Sequence, residues 1–159
     1  MSRQVVEGER APDFELPDQY GATVRLSRLL ARGPVVLFFY PLAMSRGCTT
    51  ESCHFRDLAA EFTEAGATRV GISRDSVARQ RQFDAEHHLG YRLLSDAEGT
   101  VASAYGLHRP LPGLPPRRST FVIGSDRRVR GVIRSELRME AHADEALRIL
   151  RADRPQAPG

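Results

Sequence analysis

The stretch that decides the fold is Val35-Val-Leu-Phe-Phe-Tyr40, followed by Pro41-Leu-Ala-Met-Ser45-Arg-Gly-Cys48. The run of six apolar residues, bounded by Gly33-Pro34 and Pro41, is typical of a central strand that is buried on both faces. Beyond Cys48, apolar residues recur at helical spacing, which predicts a helix from Cys48 to Ala65 that ends at Gly66. The sequence therefore predicts a strand, a loop and a helix, with a cysteine where the loop enters the helix.

The elements predicted on either side alternate between strand and helix. They are a hairpin of Phe14–Leu16 and Val24–Leu26, strands at Thr68–Ser73, Tyr91–Leu94, Ser119–Ile123 and Val129–Ile133, helices at Ser76–Leu89, Ala97–Tyr105 and Ala143–Leu150, and a surface loop over Pro110–Pro116. This order predicts an α/β fold with a mixed central sheet, helices on both faces and an N-terminal hairpin. The arrangement is similar to a thioredoxin-like fold. We expect one domain over residues 1–152 and a flexible C-terminal tail over residues 153–159.

The composition limits the class of protein. The chain has 159 residues, of which 41% are apolar and 27% are charged, and this predicts a globular domain rather than a disordered or fibrous chain. The longest apolar run has six residues, so we predict no transmembrane helix and no membrane partner. The N-terminus has no apolar segment of the kind that secretory signals carry, and we expect a cytoplasmic protein.

All 23 basic residues are arginine, which we interpret as codon bias. The net charge is only +3, but the segment from Arg109 to Arg138 holds eight arginines and two acids. No aromatic residues that could stack on bases are interleaved with these arginines. We therefore predict a solvated surface and no nucleic-acid partner; a nucleic-acid-associated protein is the alternative.

The two cysteines of the chain are Cys48 and Cys53. In a chain without an export signal, a close cysteine pair is more often redox-active or metal-binding than structural. Cys48 is predicted at a helix N-terminus, where unpaired backbone N–H groups and the positive end of the helix dipole favour the thiolate. We predict that Cys48 is a nucleophile; the alternative is a small buried apolar residue.

Cys53 follows Cys48 after five residues, and an intact helix would separate their Cα atoms by about 8.7 Å. A disulfide needs Cα atoms within about 7 Å. The pair therefore cannot form a disulfide while the helix is folded. If it does form one, the first one or two helical turns have to unwind.

A metal site is the competing interpretation of this pair. Cys48, Cys53 and His54 could supply three ligands, but the spacing is not CxxC and a structural zinc ion usually has four organised ligands. We therefore predict no metal and no cofactor. We interpret the five histidines as surface residues on helices or loops: His54, His87, His88, His108 and His142.

The segment from Tyr40 to Asp57 carries a longer pattern: Pro41, three residues, Ser45, two residues, Cys48, and then Cys53. It closely resembles the active-site segment of the peroxiredoxins of the alkyl hydroperoxide reductase/thiol-specific antioxidant family, and most closely that of the bacterioferritin comigratory protein (Q-type) group. Four further segments match family landmarks in order: Ala11–Pro17, Gly71–Ser73, Leu93–Asp96 and Arg118–Ile123. One difference is Arg46, which stands where the family commonly has proline.

The resemblance implies an antioxidant enzyme that reduces hydrogen peroxide and organic hydroperoxides. Cys48 would be the peroxidatic cysteine, oxidised to a sulfenic acid, and Cys53 the resolving cysteine that converts it to an intramolecular disulfide. A thioredoxin-type reductant would then restore both thiols. The resemblance allows a monomer or a homodimer.

The resemblance also implies roles around the sulfur. Arg118 would be a fixed cation for the thiolate and the peroxide, Ser45 would donate its hydroxyl hydrogen, and Pro41 would shield the sulfur without offering an N–H group. Tyr40 and Glu51 would be supporting residues. Glu51 is expected to hold Arg118 or the loop, and a plain helix carboxylate is the alternative.

A second class of function uses the same two cysteines. A redox sensor or a thiol–disulfide exchange module would not need Ser45 or Arg118. Such a protein would react with peroxide at the rate of an ordinary thiol.

Overall fold

A five-stranded sheet forms the centre of the molecule, which a computed structural model describes for residues 4–107 and 115–153. The sheet consists of β3 (Val35–Phe39), β4 (Thr68–Ser73), β5 (Arg92–Ser95), β6 (Ser119–Ile123) and β7 (Val129–Arg134), and a separate hairpin consists of β1 (Glu15–Pro17) and β2 (Thr23–Arg25). The helices are α1 (Leu26–Leu30), α2 (Arg46–Asp57), α3 (Ala59–Glu64), α4 (Val77–His87), α5 (Thr100–Ala104) and α6 (Met139–Asp153).

The strand order is β5-β4-β3-β6-β7, so the apolar run that begins at Val35 lies in the middle of the sheet. β3 pairs in parallel with β4 and antiparallel with β6. All five of its residues are buried. A strand of this kind is hydrophobic on both faces because both faces are covered.

Helices cover the two faces of the sheet in separate layers. Val35, Leu37 and Phe39 point into a core that also contains residues of α1 and α5. Val36 and Phe38 point into the opposite core, which contains residues of α2, α3, α4 and α6. The prediction of a mixed sheet with helices on both faces and an N-terminal hairpin is confirmed.

Several helices differ from the prediction; α5, for example, spans Thr100–Ala104 rather than Ala97–Tyr105. The single helix predicted from Cys48 to Ala65 begins earlier, at Arg46, and is divided into α2 and α3 at Leu58, whose φ and ψ are −96° and 22°. Phe55 and Phe62, on either side of the break, both remain buried in the same core. A one-residue break of this kind does not disturb the hydrophobic spacing and is not visible in it. The helix α1 was not predicted, because five residues are too few to show a period.

The last helix is longer than predicted. It spans Met139–Asp153 rather than Ala143–Leu150. The prediction was too short because the first and last turns of the helix carry few apolar residues. Arg130 on β7 donates to Asp153 at 2.9 Å and so contacts the final residue of the helix. The predicted loop over Pro110–Pro116 and the predicted tail over 153–159 lie largely outside the described residues.

The sheet brings two segments that are distant in sequence together at the end of β3 and the start of β6. β3 ends at Phe39 and leads through a short loop to α2. Phe39 pairs with Ser119 at the beginning of β6, so Arg118 enters the sheet beside the end of β3. Because the two strands are antiparallel, the start of β6 and the loop after β3 meet at one place.

Over the described parts of the chain, no helix is long and apolar enough to cross a membrane.

Candidate active site

Cys48 lies in the first turn of α2 and is fully buried. Ser45 caps this helix: its Oγ accepts the backbone N–H of Cys48 at 3.3 Å and donates its own hydrogen to the carbonyl of Leu42 at 2.9 Å. The expected donation from Ser45 to the sulfur is therefore not made in this structure. The cap fixes the first turn and places Cys48 near the positive end of the helix dipole.

Arg118 connects the sulfur to a carboxylate. Its Nη2 donates to Cys48 Sγ at 3.2 Å, and its Nη1 donates to Glu51 Oε1 at 2.6 Å. Burial disfavours the charged guanidinium, but Glu51 and Cys48 outweigh this effect and the pKa of Arg118 is raised. The planar fork of arginine suits this double contact, because its two terminal nitrogens donate in fixed directions. The neighbouring Arg117 is exposed, as expected for alternating residues at the start of a strand.

Glu51 lies one turn after Cys48 and is also fully buried. Burial raises the pKa of the Glu51 carboxyl to about 8; Arg118 opposes this rise and Glu136 adds to it. Its Oε2 has no hydrogen bond among the described residues and lies 3.5 Å from His142 Nδ1. Glu51 therefore contacts Arg118, which is one of the two roles considered for it from the sequence. Its second carboxylate oxygen, Oε2, makes no hydrogen bond within the described chain.

His142 is fully buried, so its predicted place on the surface is wrong. Its Nε2 contacts the carbonyl of Ser135 at 2.8 Å, and its Nδ1 contacts Thr120 Oγ1 at 2.7 Å. A carbonyl can only accept, so Nε2 carries the hydrogen and Nδ1 accepts the Thr120 hydroxyl in a neutral ring. Burial lowers the pKa of His142, which favours this neutral form.

His142 could have been found from the helical pattern. It precedes Ala146 by four residues, on the same buried stripe of α6 that continues to Leu147 and Leu150. The predicted helix began at Ala143, one residue too late to include it. The other described histidines lie at or near the surface; His54, for example, is paired with the exposed Asp144 at 2.8 Å.

Two further residues named from the sequence lie at the start of the loop between β3 and α2. Tyr40 is fully buried, and its hydroxyl donates to Gln80 on α4. Burial raises the pKa of Tyr40 well above its ordinary value, so the phenol stays protonated. Pro41 follows it and is half-buried. In this structure Tyr40 connects the loop to α4 through the hydrogen bond that its hydroxyl donates to Gln80.

Cys53 lies on the same unbroken helix as Cys48, and both thiols are free. Cys53 is half-buried, and burial raises the pKa of its thiol; Arg56 opposes this rise and Asp57 adds to it. At five residues along an intact helix, the two Cα atoms are about 8.7 Å apart, beyond the reach of a disulfide. Among the described residues, no group of three or more His, Cys, Asp or Glu side chains is arranged to hold a metal ion.

Comparison with known proteins agrees with this geometry. Residues 7–132 match the AhpC/TSA family. A curated Mycobacterium tuberculosis relative, a peroxiredoxin by name, is 58% identical over 149 residues, which are 92% of this chain and 97% of the relative.

Solved structures agree as well. The crystal structure of the peroxidoxin BcpB from Mycobacterium tuberculosis superimposes with a TM-score of 0.92 at 56% identity and covers 96% of this chain and 100% of that one. Peroxiredoxin Q from Xanthomonas campestris superimposes with a TM-score of 0.82 at 32% identity, with 96% and 99% coverage. The predicted thioredoxin-like fold is thereby confirmed. The chain belongs to the AhpC/TSA family and is a peroxiredoxin of the Q type, the bacterioferritin comigratory protein group.

Proposed function

We propose that this peroxiredoxin reduces hydrogen peroxide and organic hydroperoxides through Cys48, forms a disulfide between Cys48 and Cys53, and is recycled by a thioredoxin-type reductant. The observation that carries the proposal is the double contact of Arg118 with Cys48 and Glu51. A cation that contacts a buried sulfur stabilises the thiolate. The guanidinium of Arg118 has five N–H donors, so donors remain for the oxygens of a peroxide after the contacts with Cys48 and Glu51.

The first chemical step is attack of the Cys48 thiolate on one peroxide oxygen. The sulfur electron pair forms the S–O bond, the O–O bond breaks, and the departing oxygen takes up a proton to leave as water or alcohol. Arg118 faces the charge that develops on the departing oxygen. The product on the enzyme is the Cys48 sulfenic acid.

Ser45 and Pro41 belong to the loop that leads into α2. Since Ser45 gives its hydrogen to Leu42 in this structure, it acts first as the cap that orients the Cys48 turn. It can turn this hydrogen toward a bound peroxide only by releasing Leu42. Pro41 offers no N–H group that would compete for the sulfur.

The second step joins Cys53 to the sulfenic acid. The Cys53 sulfur attacks the Cys48 sulfur, an S–S bond forms, and the oxygen leaves as water. Because both cysteines lie on the intact α2, the N-terminal turns of this helix have to unwind first. A dithiol reductant then returns both cysteines to thiols by exchange.

The C-terminal half of α2 is attached to neighbouring elements. Tyr91 donates its hydroxyl to the carbonyl of Ser52 at 2.7 Å, and Arg69 donates to the carbonyl of Phe55 at 2.7 Å. These bonds lie on either side of Cys53. We therefore expect the unwinding to begin at Arg46 and to stop near Ser52, so that Cys48 moves toward Cys53.

The test is stopped-flow reduction of hydrogen peroxide and of an alkyl hydroperoxide by the wild type, Cys48→Ser and Cys53→Ser. We expect no oxidation in Cys48→Ser, and a normal first oxidation without an intramolecular disulfide in Cys53→Ser. Mass mapping under non-reducing conditions identifies the bridge. Retained peroxidase activity in Cys48→Ser would contradict the proposal, and oxidation of the wild type at ordinary thiol rates would indicate a redox sensor instead.

The cytoplasmic location and the choice between monomer and homodimer stay predictions from the sequence. Sedimentation of the reduced and of the oxidised protein determines the oligomeric state.

A further inference from the structure

Four buried groups lie in a row that begins at the reactive sulfur. Cys48 Sγ is 3.2 Å from Arg118 Nη2, Arg118 Nη1 is 2.6 Å from Glu51 Oε1, and Glu51 Oε2 is 3.5 Å from His142 Nδ1. Arg118 is 6% exposed and the other three are fully buried. The chemistry of peroxide reduction uses the first three groups and gives no task to His142.

The charge of this row depends on the state of Cys48. With a thiol, the Arg118 cation and the Glu51 carboxylate cancel, and a neutral His142 leaves the row uncharged. With a thiolate, the same row carries one net negative charge. An uncompensated charge in a buried site is costly, so thiolate formation favours one additional proton elsewhere in the row.

The hydrogen bonds show where that proton fits. Glu51 Oε2 is buried without a hydrogen bond among the described residues, and it faces Nδ1 of His142. In the neutral ring Nδ1 is an acceptor, because Nε2 donates to Ser135. Nδ1 and Glu51 Oε2 therefore face each other across 3.5 Å as two acceptors, while the lone pair of Nδ1 accepts the Thr120 hydroxyl at 2.7 Å. A proton on Oε2 ends the repulsion between them, and a proton on Nδ1, for which the Thr120 hydroxyl has to turn, makes the contact attractive.

We propose that Glu51 and His142 form a buried proton-holding pair that takes up the Cys48 proton when the thiolate forms. The S–H bond breaks, the electron pair stays on sulfur, and the proton bonds to Glu51 Oε2 or to His142 Nδ1. The row is uncharged before and after this transfer. His142 is then a positioning residue, which acts on the sulfur through Glu51 and Arg118; this role rests on the proposed thiolate chemistry of Cys48.

The groups around the pair have opposing effects. Glu136, in the turn before α6, favours a proton on both Glu51 and His142, and Arg118 disfavours it on both. His54 on α2 and Asp144 on α6 pair with each other at the outer edge of the same helix contact.

The pair also has a consequence after the oxidation. The sulfenic acid on Cys48 is neutral, so the row again needs the Glu51 carboxylate to balance Arg118. The pair therefore releases one proton for each Cys48 that is oxidised. The departing oxygen takes up one proton, so the proton released by the pair balances the one consumed in the oxidation.

The first test needs no peroxide and leaves His142 intact. Infrared difference spectra between the reduced wild type and Cys48→Ser at neutral pH report protonated carboxyl groups, and ¹⁵N NMR of labelled histidine reports imidazolium. We expect one of the two signals in the wild type and its loss in Cys48→Ser, with Cys53→Ser as the control that keeps it. Identical protonation of Glu51 and His142 in the wild type and in Cys48→Ser would overturn the proposal.

The second test alters the pair itself. In His142→Gln we expect the thiolate absorbance of Cys48 to appear about one pH unit higher, and oxidation at pH values below this titration to slow about tenfold as a result. His54→Gln, on the same helix contact, is the matched control and should leave both unchanged. An unshifted titration in folded His142→Gln contradicts the proposal. Failure of the wild type to reduce peroxide would refute the proposed function and leave the infrared result standing.

Discussion

Cys48 and Cys53 lie less than two turns apart on the same helix, yet they lie in opposite environments. Cys48 is fully buried at the helix N-terminus and accepts a hydrogen bond from Arg118. Cys53 is half-buried in the middle of the helix, and burial raises the pKa of its thiol. The contrast shows that the position at the helix N-terminus and a charge partner from the segment before β6, rather than the thiol itself, distinguish the two cysteines.

The largest expected effect comes from removing that partner. Arg118→Gln leaves the Cys48 sulfur without its cation, and the rate of its oxidation by hydrogen peroxide should fall by about 10²- to 10³-fold. Arg117→Gln, at the adjacent exposed position, is the control and should keep the wild-type rate. Stopped-flow oxidation measures both, and a circular dichroism spectrum confirms that the variants fold. Equal rates in the two variants would remove Arg118 from the chemistry.

The next effect concerns the carboxyl beside Arg118. The pKa of Glu51 is about 8 in the folded chain, above its ordinary 4.5, so the stability from its protonation is complete below pH 4.5 and is lost as the pH rises to about 8. Relative to Glu51→Gln, the wild type should lose up to about 1.4 kcal/mol of unfolding free energy per pH unit in this window. Urea unfolding of both proteins at several pH values measures the difference. Parallel pH profiles would show that Glu51 is ionised throughout.

A smaller effect is expected near Cys53. Tyr91→Phe removes the hydrogen bond from the Tyr91 hydroxyl to the carbonyl of Ser52, which is worth about 1 kcal/mol. It should speed disulfide formation about fivefold by letting the unwinding of α2 extend past Ser52. Tyr20→Phe, whose hydroxyl contacts Asp84 at the surface, is the matched control. Rapid quenching and alkylation after peroxide addition follow the disulfide. A slower disulfide in Tyr91→Phe would show that the Tyr91 bond assists the step.

The smallest effect is expected at the surface pair between α2 and α6. Asp144→Asn removes the partner of His54, and because Asp144 is mostly exposed, the unfolding free energy should fall by less than about 1 kcal/mol. The decrease should shrink as salt is added. Thermal unfolding at low and high ionic strength tests this, with Glu145→Gln as the control that removes an ion pair within α6 alone, the one with Arg148. A larger loss would mean that the pair holds α2 in place.

The same contrast explains what the sequence could predict. The run from Val35 and the position of Cys48 are local patterns, and a strand buried on both faces or a helix start can be read from neighbouring residues alone. The break at Leu58 keeps the hydrophobic spacing intact and leaves no local signal. The contacts of Glu51 with Arg118 and His142 join residues far apart in the chain, and only the paired strands and the packed helix α6 bring them together. The role of Arg118 was inferred from family resemblance, whereas the burial of His142 follows from a helical stripe that the predicted helix, which began at Ala143, did not reach.

The antiparallel pairing of β3 with β6 has a consequence for the biogenesis of the enzyme. Arg118 follows Cys48 by 70 residues, and it reaches the sulfur only when β6 has inserted beside β3. A chain that has emerged from the ribosome only as far as α4 carries Cys48 without this cation. The cation of the site is therefore supplied only after β6 has been synthesised and has paired with β3.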